Sequence, residues 1–274
     1  MVFFMIFVCP KCKNKLNING GCAVCERGHS FDRAKEGYYN LLLGVSGGTH
    51  GDNKEMVQAR RDFLARGYYR PLADRIAALA SAHLPDGAVL LDAGCGEGYY
   101  TDLVERRLSA DGRSHRMLAF DISKDAVRPA AKRNKEISFA VASSYDIPLA
   151  DGSVDGVMNV FSPMALDETR RVLKDGGLFI FVYPDEDHLF ALKKLIYTNP
   201  YKNEPQDTAL DGFDLLGVEK VFYDMEIGSG EDLRALFMMT PYAYRTGREE
   251  RERLNGAAGL VCEARFCIAV YRKA

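Results

Sequence analysis

One stretch of this 274-residue chain limits its possible folds more than any other: Leu90-Leu91-Asp92-Ala93-Gly94-Cys95-Gly96-Glu97-Gly98-Tyr99-Tyr100-Thr101. An apolar run, Val89-Leu90-Leu91, ends in a carboxylate and three alternating glycines, and the next residues read as a helix start. A buried parallel strand, a tight turn and a helix N-terminus have this signature. Glycines there let backbone pass close to a ligand. The dinucleotide fingerprint needs its third glycine where Tyr99 stands, and it cradles a diphosphate on a helix N-terminus. Asp92 beside the turn would repel a diphosphate and suit a cation. S-adenosylmethionine, with an ammonium, a sulfonium and no phosphate, is such a ligand. Read alone, the glycine turn is a weak signal that an ordinary strand-to-helix turn also produces.

The remaining chain alternates strands with helices. Strands are predicted at about 88–92, 117–120, 137–141, 155–161 and 178–182, with a closing pair at 218–227 and 260–271. Helices are predicted between them, including 98–108, a helix capped by Ser123, one from Ala165 to a glycine stop at Gly176-Gly177, 189–197 and 231–237. This pattern is an α/β, Rossmann-like sheet with helices on both faces. Asp121, at the tip of the second strand, is placed to hydrogen-bond a ribose diol. Ala142–Asp146 is placed at an adenine edge. Phe161, at the end of the fourth strand, either stacks on a base or packs in the core. The same place reads Phe161-Ser162-Pro163, not the Asn/Asp-Pro-Pro-aromatic clamp of amino-group methylation, which favours a ring nitrogen as acceptor. No residue announces itself as a general base.

The N-terminal region carries different chemistry. Cys9-Pro10-Lys11-Cys12 is followed by Cys22, Cys25 and His29. Seven cysteines in all argue against a pure disulfide framework, and the tight pairing argues for zinc. Spacing leaves two ligand sets open: Cys9, Cys12, Cys22 and Cys25, or Cys9, Cys12, Cys25 and His29. Either closes a tetrahedral shell with protein ligands, so the metal is structural. Residues 1–40 hold six Lys/Arg against three acids, interleaved with Phe31, Tyr38 and Tyr39. That surface suits a phosphate backbone and unpaired bases, or is simply solvated. With a net charge of −2, the whole chain is no polycation, so any nucleic acid must be held by a local patch.

Three segments follow from these changes of pattern: a zinc-binding domain over 1–42, a linker and helices over 43–86, and an α/β domain over 87–274. The linker's Gly-rich part, 43–53, is expected to be mobile and includes His50 as a solvated residue. Arg60-Arg61 reads as an ordinary exposed helix face, or as a pair able to touch phosphate. The apolar Met1–Val8 is too short to span a bilayer and reads as a first strand. With no targeting signal, the cytoplasm is the expected compartment and no membrane partner is expected.

Together these motifs resemble one family, the RlmA-type 23S rRNA (guanine-N1)-methyltransferases, which include the tylosin-resistance enzymes. The likeness extends over most of the chain. It rests on the Cys-Pro-x-Cys pair and on His29-x-Phe31-Asp32-x-Ala34-Lys35-Glu36-Gly37-Tyr38-x-Asn40-Leu41-Leu42. It also rests on Gln58-Ala59-Arg60-Arg61-x-Phe63-Leu64, Tyr69-x-Pro71, the glycine loop, Ala142-Ser143-Ser144, His188-Leu189 and Met239-Thr240-Pro241. The resemblance implies a class I S-adenosylmethionine-dependent methyltransferase domain, a small N-terminal zinc domain that recognises a 23S rRNA hairpin, and a homodimer. It favours Cys9, Cys12, Cys25 and His29 as the Zn2+ ligands, although the chain also offers Cys22. It adds Tyr69 and His188 to a cofactor set of Asp92, Gly94, Gly96, Glu97 and Asp121. The competing readings are a small-molecule methyltransferase, and a zinc-ribbon RNA-binding protein with a degenerate cofactor site.

Overall fold

The computed structural model describes residues 4–44, 51–244 and 246–274. Most of the expected mobile linker, with His50, lies outside the described residues, as do Met1–Phe3 and Arg245.

Four short antiparallel strands come first: β1 (Phe4–Val8), β2 (Lys15–Asn19), β3 (Cys22–Cys25) and β4 (Ser30–Asp32). Next come β5 (Tyr39–Asn40), α1 (Lys54–Ala65), α2 (Arg70–His83), β6 (Ala88–Ala93), α3 (Tyr99–Ala110), β7 (His115–Asp121), α4 (Lys124–Arg133) and β8 (Ser138–Val141). The chain continues through β9 (Val154–Val160), α5 (Leu166–Val172), β10 (Leu173–Pro184), α6 (Phe190–Ile196), β11 (Phe213–Ile227) and α7 (Gly230–Met238). A 3-10 turn (Pro241–Tyr244), α8 (Arg248–Gly256) and β12 (Leu260–Lys273) close it.

The large sheet has the order β11-β12-β10-β9-β6-β7-β8-β5. Strands β5 to β10 pair in parallel, and the closing pair β11–β12 is antiparallel. Its central strands are buried on both faces. Leu90 of β6 packs into one hydrophobic cluster, and Val89, Leu91 and Ala93 pack into the other. In β10, Leu178, Ile180 and Val182 alternate in the same way with Phe179, Phe181 and Tyr183. Two-sided burial explains why these strands read as unbroken apolar runs. Cys262 and Cys267, on opposite faces of β12, are both buried.

The zinc-region sheet is not isolated. Tyr39 and Asn40 pair with Ala140 and Val141, so β5 is an edge strand of the large sheet. Phe7, Leu16 and Ala23 share a hydrophobic cluster with Tyr39, Leu41 and Val89. The Val8 amide donates to the Pro148 carbonyl (2.8 Å).

Two elements depart from the expected pattern. The helix predicted to run to Gly176-Gly177 ends at Val172, and Leu173 already belongs to β10. The glycines instead form a bulge between Leu173 and Leu178, with Gly176 at φ +71°, where glycine is favoured. Helix α8 has no apolar stripe to betray it; only Leu254 among its residues is buried.

Candidate functional site

The glycine loop joins β6 to α3. Asp92 is 1 % exposed; its Oδ2 accepts from Thr101 Oγ1 (2.6 Å), and its Oδ1 is buried with no partner among the described residues. Burial, with the Asp121 charge nearby and despite the Thr101 hydrogen bond, pushes the Asp92 carboxyl up to about 7. Gly94 lies at φ +89°, and a Cβ there would sit 1.9 Å from Ser162 Oγ. Any side chain would therefore collide with the loop after β9. Gly98, the left-handed N-cap of α3, packs against Ala130 of α4, which a Cβ would approach to 2.9 Å.

Asp121 ends β7. Its Oδ2 accepts from the Gly96 amide (2.9 Å) and its Oδ1 from the Ser123 amide (2.8 Å), so the strand tip is locked to the loop. Burial raises its pKa, against those two hydrogen bonds. Glu97 is also 1 % exposed: one carboxylate oxygen meets Arg133 of α4, and Oε1 has no partner among the described residues.

His188 and Tyr69 meet at the other end. Tyr69 Oη lies 3.5 Å from His188 Nε2, and both residues are buried. His188 Nδ1 accepts from the Arg265 amide (3.2 Å), so the neutral ring carries its proton on Nε2. Burial, reinforced by Lys193 and Arg265, pushes its pKa down to about 3. His188 is thus a fixed hydrogen-bond donor, not a proton acceptor, near pH 7. Two non-glycine residues with left-handed backbone flank this end, Phe161 (φ +57°) and Leu189 (φ +56°). Such strain in a bulky residue points to a functional constraint. The half-exposed Phe161 ring sits among Tyr100 and Phe266 (centroids 6.2 and 5.5 Å).

All seven residues singled out from sequence, Tyr69, Asp92, Gly94, Gly96, Glu97, Asp121 and His188, line one cavity of about 730 Å³. Ser143, Ser144, Phe161, Thr240 and Pro241 line it too. Sequence reading missed Asp52, Arg60, Asn203 and Tyr242. Arg60 is not on an exposed face: its side chain is 23 % exposed, pairs with Asp52 and lies 3.7 Å from where a Gly96 Cβ would be. Its neighbour Arg61 is exposed as expected, and the Arg-Arg doublet gives no local signal of which one turns inward. Asn203 accepts from the buried Lys193 (2.7 Å) and donates to the Asp185 carbonyl (2.9 Å).

Among the described residues, four acids line this cavity and Arg60 is the one arginine or lysine, so its electrostatics oppose a diphosphate and favour a cation. The orphaned Asp92 oxygen, the clearance enforced at Gly94 and the strand-tip carboxylate fit S-adenosylmethionine. The fold is a methyltransferase fold that binds this cofactor.

The second cluster is in the N-terminal sheet. One ligand atom each from Cys9, Cys12, Cys25 and His29 lie within 4.8 Å of one another. Cys12 and Cys25 Sγ are 3.6 Å apart, and His29 Nδ1 is 3.4 Å from the Sγ of both Cys9 and Cys25. A tetrahedral zinc with its usual bond lengths gives about 3.8 Å between sulfurs and about 3.6 Å from sulfur to nitrogen. The donor set and spacing therefore fit Zn2+. Two turns build it: the Lys13 amide returns to the Cys9 carbonyl (2.7 Å), and the Gly28 amide returns to that of Cys25 (2.9 Å). Cys22 stands outside the cluster, donating to Asp32 Oδ1 (3.1 Å). Cys22 and Cys25 are three apart on β3, so their side chains face opposite sides.

Known proteins resemble both regions of the chain. Residues 91–181 match the methyltransferase domain family, and residues 7–43 match the family described as "RlmA, N-terminal". The chain is 38% identical over 188 residues to the 23S rRNA (guanine(748)-N(1))-methyltransferase of Streptomyces fradiae, covering 67% of this chain and 65% of that protein. It is 34% identical over 214 residues to the putative 23S rRNA (guanine-N(1)-)-methyltransferase YxjB of Bacillus subtilis, covering 76% of this chain and 74% of that protein. A putative 23S rRNA (guanine-N(1)-)-methyltransferase of Micromonospora griseorubida is 37% identical over 61% of this chain and 60% of its own. The chain thus spans just under two thirds of the Streptomyces and Micromonospora relatives and about three quarters of the Bacillus one. With the zinc-ribbon cluster and the cofactor cavity in one fold, the chain belongs to the RlmA-type 23S rRNA (guanine-N1)-methyltransferase family.

Proposed function

We propose that this protein transfers a methyl group from S-adenosylmethionine to N1 of a guanine in a hairpin loop of 23S rRNA. One observation carries the reading: β5, just after the zinc ribbon, joins the sheet that carries the cofactor cavity, and ribbon residues share a hydrophobic cluster with that sheet. A small-molecule methyltransferase has no need of the first, and a pure RNA binder has no need of the second.

When bound, the cofactor supplies an activated methyl group on a sulfonium centre; the chain supplies position and desolvation. Asp92 would meet the cationic end of the cofactor, and the backbone at Gly94 and Gly96 would let it approach. Asp121 would accept from its ribose hydroxyls, and Ser143 and Ser144 would face its adenine. Tyr69 and the Nε2–H of His188 would hold the methionine end, with Glu97 bracing the loop through Arg133. Phe161 offers a half-exposed ring on which a guanine taken from its stack can lie. Guanine N1 loses a proton in the reaction, and His188, with Nδ1 committed to the Arg265 amide, does not receive it.

Cys9, Cys12, Cys25 and His29 hold structural Zn2+ and keep the ribbon folded for RNA recognition. The hairpin and the homodimer come from family likeness. Among the described residues, no helix is long and apolar enough to cross a membrane.

The test is tritiated methyl transfer to unmodified large-subunit rRNA, with the modified position mapped by primer-extension stops. A stop at one hairpin guanine supports the reading. Failure to bind S-adenosylmethionine, or labelling of a small molecule with rRNA left unlabelled, overturns it. Light scattering of the purified protein decides between monomer and dimer.

A further inference from the structure

A second hollow, of about 720 Å³, lies between α1 and α4. Five cations line it, Lys54, Arg61, Arg128, Lys132 and Arg133, against one acid, Asp125. In a chain of net charge −2 this is a concentrated positive field. Two of the five are engaged: Arg128 pairs with Glu36 (2.7 Å) and Arg133 with Glu97. Lys54, Arg61 and Lys132 are exposed and have no ion pair among the described residues. Arg61 and Lys132 act at longer range on the Glu97 and Glu36 carboxylates, and the three exposed cations leave the groove open to a further anion.

The groove's position says what that is. Helix α1 is its shared wall: Met56 and Arg60 face the cofactor cavity, and Lys54, Val57 and Arg61 face the groove. The Arg133–Glu97 pair joins the groove floor to the glycine loop. At the opposite edge, Glu36 meets Arg128, and its carbonyl accepts from Lys135 Nζ (2.7 Å). This ties the segment after the zinc ribbon, with exposed Arg33 and Lys35, to the groove. The groove therefore runs from that segment to the cofactor cavity. Among the described residues, its lining has no aromatic ring on which a base could stack. Five cations spread over two helices exceed what one phosphate needs and match a run of them.

We propose that the α1/α4 groove seats the phosphate backbone of the substrate rRNA between the zinc ribbon and the reactive base. The proposal rests on the methyltransferase reading above. Its contribution is sequence-independent: it fixes the register of the strand while base choice is made elsewhere.

The test uses the full-length, zinc-loaded protein with Lys54→Ala, Arg61→Ala and Lys132→Ala combined. Its reference is Arg116→Ala, Lys174→Ala and Arg272→Ala, which removes equal charge at the opposite end of the sheet, where β7 and β10 begin. The groove variant is expected to raise KM for unmodified 23S rRNA at least tenfold at physiological salt. kcat at saturating rRNA and affinity for S-adenosylmethionine should hold within twofold. The slope of log affinity against log salt should fall by about two, since each lost contact to single-stranded RNA removes about 0.7. Unchanged KM and salt slope, or an equal loss in the reference variant, would overturn the groove. If the wild-type protein methylates no rRNA, the functional reading fails separately. Anisotropy of a labelled 23S rRNA fragment then decides the groove by the same two variants: groove-specific loss of binding supports it, and its absence rejects it.

Discussion

Two hollows of nearly equal volume lie on either side of α1, and their charges are opposite. The cofactor cavity is lined by four acids, two of them with an oxygen that has no partner among the described residues. The groove is lined by five cations and one acid. One helix thus separates a site suited to a small cation from a site suited to a polyanion. The two also differ in depth. Asp92, Glu97, Tyr69 and His188 are buried on elements fixed by the sheet, whereas Lys54, Arg61 and Lys132 stand in solvent. Buried charge is worth more per group and tolerates less change; exposed charge works by number and is screened by salt. The cofactor side should therefore fail at single substitutions, and the RNA side only when several groups are removed.

The largest expected effect is at Asp92. Asp92→Ala should weaken S-adenosylmethionine binding at least a hundredfold by calorimetry, with one zinc per chain retained and rRNA affinity little changed. Full affinity in that variant would break the assignment of the cavity. Next is the metal. Cys12→Ser should lose zinc and rRNA methylation while cofactor affinity falls only a few-fold, measured by metal analysis beside calorimetry. Cys22→Ser, outside the cluster, should keep its zinc.

A pH effect of intermediate size follows from burial. Ligand-free, Asp92 ionises at about 7, and a bound cation needs it ionised. Affinity for S-adenosylmethionine should therefore weaken by roughly tenfold per pH unit below 7. His188, at about 3, should add no step between pH 5.5 and 7.5. Stability of the ligand-free protein runs the other way. A carboxyl raised above its unfolded value near 3.8 stabilises the fold below that value, and this contribution is lost as pH rises through about 7. Asp92→Asn should flatten that decline in chemical denaturation, by at most a few kcal/mol. The smallest effect is at Thr101: Thr101→Val removes the hydrogen bond to Asp92 and should cost about 1–2 kcal/mol of stability, read as a shift in denaturation midpoint.

The metal ligands illustrate what local sequence can and cannot carry. Cys-x2-Cys pairs were visible, but the choice between Cys22 and His29 depends on β3 running straight through residues 22–25, which turns Cys22 away. The cofactor loop was legible because a two-sided buried strand, a carboxylate and glycines at required positive φ leave a pattern in adjacent residues. Arg60 was misread as exposed because its role depends on Asp52 and on the docking of α1 over Gly96. Helix α8 left no periodic trace.

Sequence alone determined the alternation of strands and helices, the chemistry of the glycine loop and the presence of a thiolate metal site, since each is written within a few consecutive residues. Tertiary structure decided which distant groups meet. It brought Tyr69 to His188 across 119 residues and oriented that histidine as a donor. It also drew residues 39–40 into the large sheet and gathered the cations of α1 and α4 into one groove. These are long-range contacts, set by packing of whole elements against the sheet, and no short stretch of chain encodes them.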